Sequence, residues 1–260
     1  MSLDSSIVVC AHNEENYVKE CLESILRQTV RPLLIIFVAD RCNDKTEDIA
    51  RAILADCKAL IITKTNSHWK NNIAENLELA RQEAQGVSLA VVDADMVIPS
   101  DFLQRLLPQL KQYASVSAVA KTDPRRGLVN RLVSIWEMTY KITPLGEQPR
   151  GGARVISTQD LEAIGGFRDV IAWDSDIDMR LRKSGFKVRL DTGFSVLHRR
   201  KMSLRRSVSY QIRSGRARRE LGVSLTRTFL HSLFRLRPFV VWGYLKAADA
   251  YEKSFQGGAS

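Results

Sequence analysis

Residues 6–11 read Ser-Ile-Val-Val-Cys-Ala and are followed by residues 14–28, EENYVKECLESILRQ. The first stretch is a short, continuously apolar run of the kind buried on both faces of a parallel sheet. The second places Tyr17, Cys21, Leu22, Ile25 and Leu26 at spacings of three and four, one face of a helix. This strand-then-helix unit returns every 25 to 30 residues. Strands are expected at 33–39, 60–63, 89–92 and 116–120, and helices at 45–55, around Ile73, Leu77, Ala80 and Ala84, and at 101–113 behind Pro99 with Ser100 as its cap. Such a cadence predicts an α/β fold with a doubly wound, mostly parallel sheet and helices on both faces. Beyond Lys121 the rhythm changes. A helix is expected at 128–142, a Pro/Gly loop at 143–152 (TPLGEQPRGG) long enough to act as a lid, a strand and helix at 153–164, a helix at 174–184, and two short strands near Val188 and Val196.

Charge divides the 260 residues differently. The formal net charge is +10, but residues 199–260 hold 14 Lys and Arg against 3 acidic residues, leaving 25 against 26 in residues 1–198. A nearly neutral body, in halves 1–120 and 121–198, therefore carries a cationic extension over 199–260. Repeats of four among Leu204, Val208 and Ile212, and Pro238 as a helix start, predict that the extension is helical. Disordered, collagen-like and disulfide-scaffold classes are excluded by composition. Cys10, Cys21, Cys42 and Cys57 form no CxxC pair, and no signal peptide or membrane-spanning run is visible, so a reducing, cytoplasmic setting is expected.

In open α/β sheets the ligand lies beyond the carboxyl ends of the strands. There the sequence puts His12, Asn13, Glu14 and Glu15, then Asp40, Arg41, Asn43 and Asp44, then Asp93, Ala94 and Asp95. Asp40 and Asp44 are equally suited to capping a helix. Two carboxylates one residue apart, as in VVDAD, repel unless a cation is shared, and a hard divalent ion bridging carboxylates to phosphates is one solution; a capped turn before Pro99 is another. In residues 173–182, WDSDIDMRLR, Asp174 and Asp178 share a helical face while Asp176 points elsewhere. One of these acids can act as a general base, or all of them can merely favour the helix N-terminus. His198, ending FSVLH, is a further candidate ligand.

Taken in order, AHNEENYVKECLESILRQT, VADRCNDKTED, VVDADMVIPSDFL, RGGARVISTQDLEAIGGF, DSDIDMRLRKSGFKV and VLH resemble the family 2 glycosyltransferases over about residues 5–198. The resemblance implies the GT-A fold and inverting transfer of a sugar from a UDP- or GDP-sugar to an acceptor hydroxyl or phosphate, with Mn2+ or Mg2+; the cationic extension adds the expectation that the sugar or lipid-phosphate acceptor is met at a membrane. It assigns Ala11, Asn13, Glu14, Asp40 and Asp93 to the donor nucleotide, Asp95 and His198 to the metal, and Asp176 to the catalytic base. Ala39 and Ser175 depart from the family pattern, and Ser175 leaves Asp174 or Asp178 as sharers of the base role. The QxxRW motif of processive members is absent, which favours transfer of a single sugar. A sugar-nucleotide nucleotidyltransferase and a non-catalytic nucleotide-sugar binder are the alternatives.

The extension adds nine positive charges before Glu220, then Phe229, Leu230, Leu233, Phe234, Phe239, Val240, Trp242 and Tyr244. Cations beside aromatic and aliphatic groups suit an anionic membrane surface rather than nucleic acid, and hence a protein peripheral to the membrane. Arg213 and Arg216 are candidate phosphate contacts.

Overall fold

The computed structural model describes residues 4–138 and 151–256, with side chains to residue 247. Its elements run β1 (Ser5–Ala11), α1 (Val18–Leu26), β2 (Leu34–Asp40), α2 (Thr46–Leu54), β3 (Ala59–Lys64), α3 (Asn72–Glu83), β4 (Ser88–Val92), β5 (Met96–Val97), α4 (Phe102–Leu106), β6 (Ser115–Thr122), α5 (Leu128–Met138), β7 (Ala153–Ser157), α6 (Thr158–Ala163), α7 (Trp173–Lys183), β8 (Val188–His198), α8 (Leu204–Glu220), α9 (Leu225–Phe234) and α10 (Pro238–Gln256). Two compact units emerge: residues 4–123, 151–169 and 173–200 in one, residues 124–138, 170–172 and 201–256 in the other. The division expected at residue 198 falls after Arg200, and α5, expected in the body, belongs to the second unit.

In the first unit the strands form one sheet in the order β3-β2-β1-β4-β7-β6-β8-β5. β3, β2, β1 and β4 are mutually parallel, β7 runs against both β4 and β6, and β6 and β8 are parallel. Alternation along the strands builds a core on each face. Ile7, Val9, Ile35 and Phe37 meet α1, α2 and α4 on one side, while Val8, Ile36 and Val38 meet α3, α6 and α7 on the other. Every residue of β2 is buried, as the unbroken apolar run predicted.

Three expectations are corrected. β8 is a single strand rather than two short ones. The register slips opposite Ala118/Val119, where residues 192–194 bulge out and Gly193 N–H turns back to Asp191 Oδ1 at 3.1 Å. The helix foreseen over 101–113 ends at Leu106 and continues as a 3-10 turn over Leu107–Lys111, because Pro108 has no N–H to donate; Ser100 does not cap it, since Asp101 holds that position without a side-chain bond. Nor does α1 begin at Glu14. Asn13 adopts φ +54 and Glu14 C=O closes a turn with Tyr17 and Val18 N–H, both at 2.9 Å. Residues 143–150 of the lid expected over 143–152, and the last turn of the helix foreseen to residue 142, lie outside the described residues.

In the second unit α8 and α10 cross with backbone against backbone. A Cβ on Gly215 would overlap the Val240 carbonyl oxygen, and one on Gly243 would overlap that of Ile212. Gly243→Val is therefore expected to lower stability by about 1–3 kcal/mol or more through overpacking. Thermal denaturation followed by circular dichroism checks this, and an unchanged Tm would contradict so close a crossing.

Candidate active site

The parallel strands bring the ends of β1, β2, β4, β6 and β8, and the start of β7, to one edge of the sheet. The β1 and β2 loops are stitched together there. Asn13 Oδ1 accepts from Asn43 N–H at 2.9 Å, Glu14 N–H donates to Thr46 Oγ1 at 2.7 Å, and His12 Nδ1 sits 2.7 Å from Asp40 C=O. Asp44 accepts from Thr46 and Glu15 N–H, so it braces both loops. Ala11 is buried, with its carbonyl 3.5 Å from Cys42 Sγ.

Asp40 does not cap α2, which starts behind Lys45. Its buried carboxylate takes two bonds from Arg41, at 2.8 and 3.1 Å, and faces Lys64 at 3.8 Å. Burial alone would raise its pKa, but hydrogen bonds from Arg41 and Asn76 and the charge of Lys64 bring it below the ordinary carboxylate range. Lys64 also binds Glu75 at 2.7 Å and Asn76 at 2.8 Å. Glu75 is brought down to about 2: burial opposes the shift, and bonds from Lys64, Ser67 and the His68 and Trp69 amides outweigh it. Sequence reasoning passed over Lys64, Glu75 and Asn76. The signal was available, because Lys64 stands opposite Asp40 at the end of β3.

The β4 end is more charged. Asp93 is half-buried and its backbone N–H donates to Gly152 C=O at 3.0 Å; a Cβ at residue 152 would overlap the Asp93 carboxylate where it now stands, so a larger residue there would have to push that side chain aside. Burial, and then the charge of Asp95, push the Asp93 carboxyl upward. Asp95 moves the other way despite its burial, because His198 and Arg200 favour the anion. The placement follows from β5, whose antiparallel pairing sets Met96 opposite His198 while Arg199 N–H donates to Asp95 C=O at 2.8 Å. His198 Nε2 then lies 3.1 Å from Asp95 Oδ2, and Arg200 pairs with both Asp95 and Glu14.

A divalent cation fits the donor chemistry of this pair. Two neighbouring ligands of an octahedral ion at about 2.1 Å stand about 3 Å apart, the separation of Asp95 Oδ2 from His198 Nε2. Among the described residues no group of three or more His, Cys, Asp or Glu forms a ready-made cage. Two protein ligands with the rest supplied by phosphate oxygens and water is the usual magnesium-type arrangement.

The acids of α7 separate by role. Asp176, expected as the base, pairs with Arg180 at 2.7 Å, and Arg180 also donates to the Ile164 and Gly166 carbonyls, at 2.5 and 2.7 Å. The pair pins α7 to the end of α6. Asp178 is held by the fully buried Arg154 at 3.0 Å. Asp174 is the acid whose charge acts on Asp93. Burial raises its own pKa, with Arg154 and the Ser175 amide opposing. Arg154, opposite Val91 on β7 and 5.5 Å over the Trp173 ring, and Arg200 complete the edge, and neither figured among the expected residues. Arg213 and Arg216 are exposed on α8 of the second unit.

A two-faced, parallel-rich sheet with acids and opposing cations gathered at its carboxyl edge defines the GT-A class of glycosyltransferase folds. The profile described as glycosyl transferase family 2 matches residues 6–171, and the chain belongs to that family. Among curated relatives, the uncharacterized glycosyltransferase EpsJ of Bacillus subtilis (strain 168) is 31% identical over 108 residues, 41% of this chain and 30% of EpsJ. The beta-monoglucosyldiacylglycerol synthase of Trichormus variabilis is 26% identical over 193 residues, 68% of this chain and 40% of the synthase. The chain thus spans less than half the length of these relatives. The mannosyltransferase PcManGT of Pyrobaculum calidifontis, solved with GDP-Man and Mn2+, superimposes with a TM-score of 0.64 at 20% identity, over 98% of this chain and 75% of the other.

Proposed function

We propose that the protein transfers one sugar, with inversion, from a nucleoside-diphosphate sugar to an acceptor hydroxyl or phosphate at a membrane surface. The observation that carries this reading is the meeting of Glu14, Asp95, His198 and Arg200 at adjoining strand ends, with the half-buried Asp174 close enough for its charge to act on Asp93. In a single displacement the acceptor oxygen attacks the anomeric carbon, the bond from that carbon to the diphosphate oxygen breaks, and the acceptor proton leaves. Asp174 receives the proton; its raised pKa suits a base better than an ordinary carboxylate. Asp95 and His198 would hold a divalent cation, which when bound neutralises charge on the departing diphosphate. Asp40 and Lys64 at the β2 and β3 ends, with Asn76 of α3, form the polar floor offered to the nucleoside. PcManGT was solved with GDP-Man and Mn2+, which supports a nucleotide-sugar donor and a divalent ion for this chain as well.

Donor binding is testable by thermal shift with UDP, GDP and their sugars in Mn2+. A nucleotide at 100 times its Kd stabilises by about 2.7 kcal/mol. A shift with neither nucleotide would remove the donor assignment.

The membrane part of the reading rests on the second unit and on a synthase relative named for a glucosylated diacylglycerol. Leu225, Phe229, Leu233 and Leu236 are exposed at near-helical spacing, with Arg227 and Arg237 close in sequence, while no helix among the described residues is long and apolar enough to cross a membrane. Each cation near anionic lipid contributes about 1 kcal/mol. Flotation with anionic vesicles is expected to carry the protein up the gradient, with neutral vesicles binding far less. Failure with both would cancel this part alone.

A further inference from the structure

Arg200 is two residues past the end of the sheet, yet it is tied to two of the acid motifs at once. Its Nε meets Asp95 Oδ2, its Nη2 meets Glu14 Oε1, and its guanidinium lies 5.6 Å over the Tyr17 ring. The side chain is only 20% exposed. Its backbone position is set by the β5–β8 pairing and by the Arg199–Asp95 bond, and Arg199 is itself anchored to Glu20 and Asp123 at 2.7 and 2.6 Å. The oxygen that receives Arg200 is the same Oδ2 that stands 3.1 Å from His198.

Two kinds of cation therefore have a claim on one carboxylate oxygen. A metal ion held between Asp95 Oδ2 and His198 Nε2 would share that oxygen with the guanidinium, and two positive charges side by side repel each other. Displaced from Asp95, the guanidinium is a planar fork suited to a phosphate, the group that the donor brings to the same place.

We infer that Arg200 is a resident cation that holds Glu14 and Asp95 in the donor-free enzyme and gives up Asp95 only when a nucleoside diphosphate takes the guanidinium, so that metal and donor bind as a coupled pair. This rests on the reading that Asp95 and His198 hold the metal. It assigns Arg200 a positioning role, and the coupling is reciprocal: diphosphate tightens metal binding by the factor by which metal tightens diphosphate binding.

Mn2+ binding, followed by loss of the free-ion signal in electron paramagnetic resonance, is measured with and without UDP or GDP for wild type, Arg200→Gln, Arg200→Lys and Asp95→Asn. Wild type is expected to bind Mn2+ about tenfold or more tightly with its preferred diphosphate present. Arg200→Gln is expected to bind Mn2+ alone about tenfold more tightly than wild type does, to bind the diphosphate more weakly, and to lose most of the coupling. Arg200→Lys, which keeps the charge without the fork, should fall between, and decides the matter if circular dichroism shows that the Gln variant is unfolded. Metal affinity and coupling unchanged in both Arg200 variants, while Asp95→Asn abolishes binding, would overturn the Arg200 inference and leave the metal site standing. Absence of Mn2+ binding in wild type with either diphosphate would overturn the metal reading, and this inference with it.

Discussion

Asp174→Asn is expected to lower turnover by about 100- to 10,000-fold, the range for loss of a general base, while the fold survives. Asp176→Asn should do the reverse. The Asp176 and Arg180 side chains are only about a tenth exposed, and truncating one member of a buried pair costs about 3–5 kcal/mol because the other charge is stranded; the remaining exposure and the two carbonyls that also hold Arg180 bring the expected loss to the lower end. Its Tm should fall, while the rate per folded molecule stays within a few-fold of wild type. Steady-state kinetics and thermal melts on both variants check the assignment. The acid limb of the wild-type rate profile adds a second readout. A base must be deprotonated to act, and burial raises Asp174, so activity should be present above and lost below a pKa higher than the ordinary carboxylate value of about 3.9. If Asp176→Asn alone abolished turnover without destabilisation, the base would be Asp176 and the ion pair with Arg180 would have to open during catalysis.

Asp95→Ala carries the second large effect, a fall in kcat of about 100- to 1,000-fold or more. Two contacts meet on this carboxylate, the His198 imidazole and the Arg200 guanidinium, while Arg199 N–H is held by the Asp95 main-chain carbonyl and would survive the substitution. Charge on the diphosphate grows as the glycosidic bond breaks, so a group that organises opposing charge acts more on the transition state than on the bound donor. The loss should therefore appear mainly in kcat. A variant whose KM alone rises would show that Asp95 only helps to bind.

The sheet and most helices could be read because parallel strands buried on both faces are apolar throughout, as in β2, and the flanking helices repeat at three and four. What escaped was local. β5 has two residues and no pattern of its own, yet its pairing with β8 sets Asp95 against His198. Pro108 ended a helix that apolar spacing alone would have continued. Within the site, the acids after β1, β2 and β4 announced themselves by position, whereas Lys64, Arg154 and Arg200 resembled ordinary strand or tail residues. Charge counting placed Arg199 and Arg200 in the cationic extension, but their ion pairs with Glu20, Asp123, Glu14 and Asp95 make them part of the first unit. The helical spacing that set Asp174 and Asp178 together and Asp176 apart agrees with the structure: Asp174 and Asp178 both lie by Arg154, and Asp176 is turned to Arg180. Family resemblance pointed to Asp176, two residues along.

Sugar transfer from a nucleoside-diphosphate donor, driven by the strand-end acids, is the proposed reaction. Release of UDP or GDP from the matching sugar nucleotides, in Mn2+ and with sugar or lipid-phosphate acceptors, tests it in one assay on wild type and Asp95→Ala. Release by wild type is expected to require the divalent ion, to rise with an acceptor and to be lost in Asp95→Ala. Tight binding of the sugar nucleotide without release, or release at the wild-type rate by Asp95→Ala, would contradict the proposed reaction.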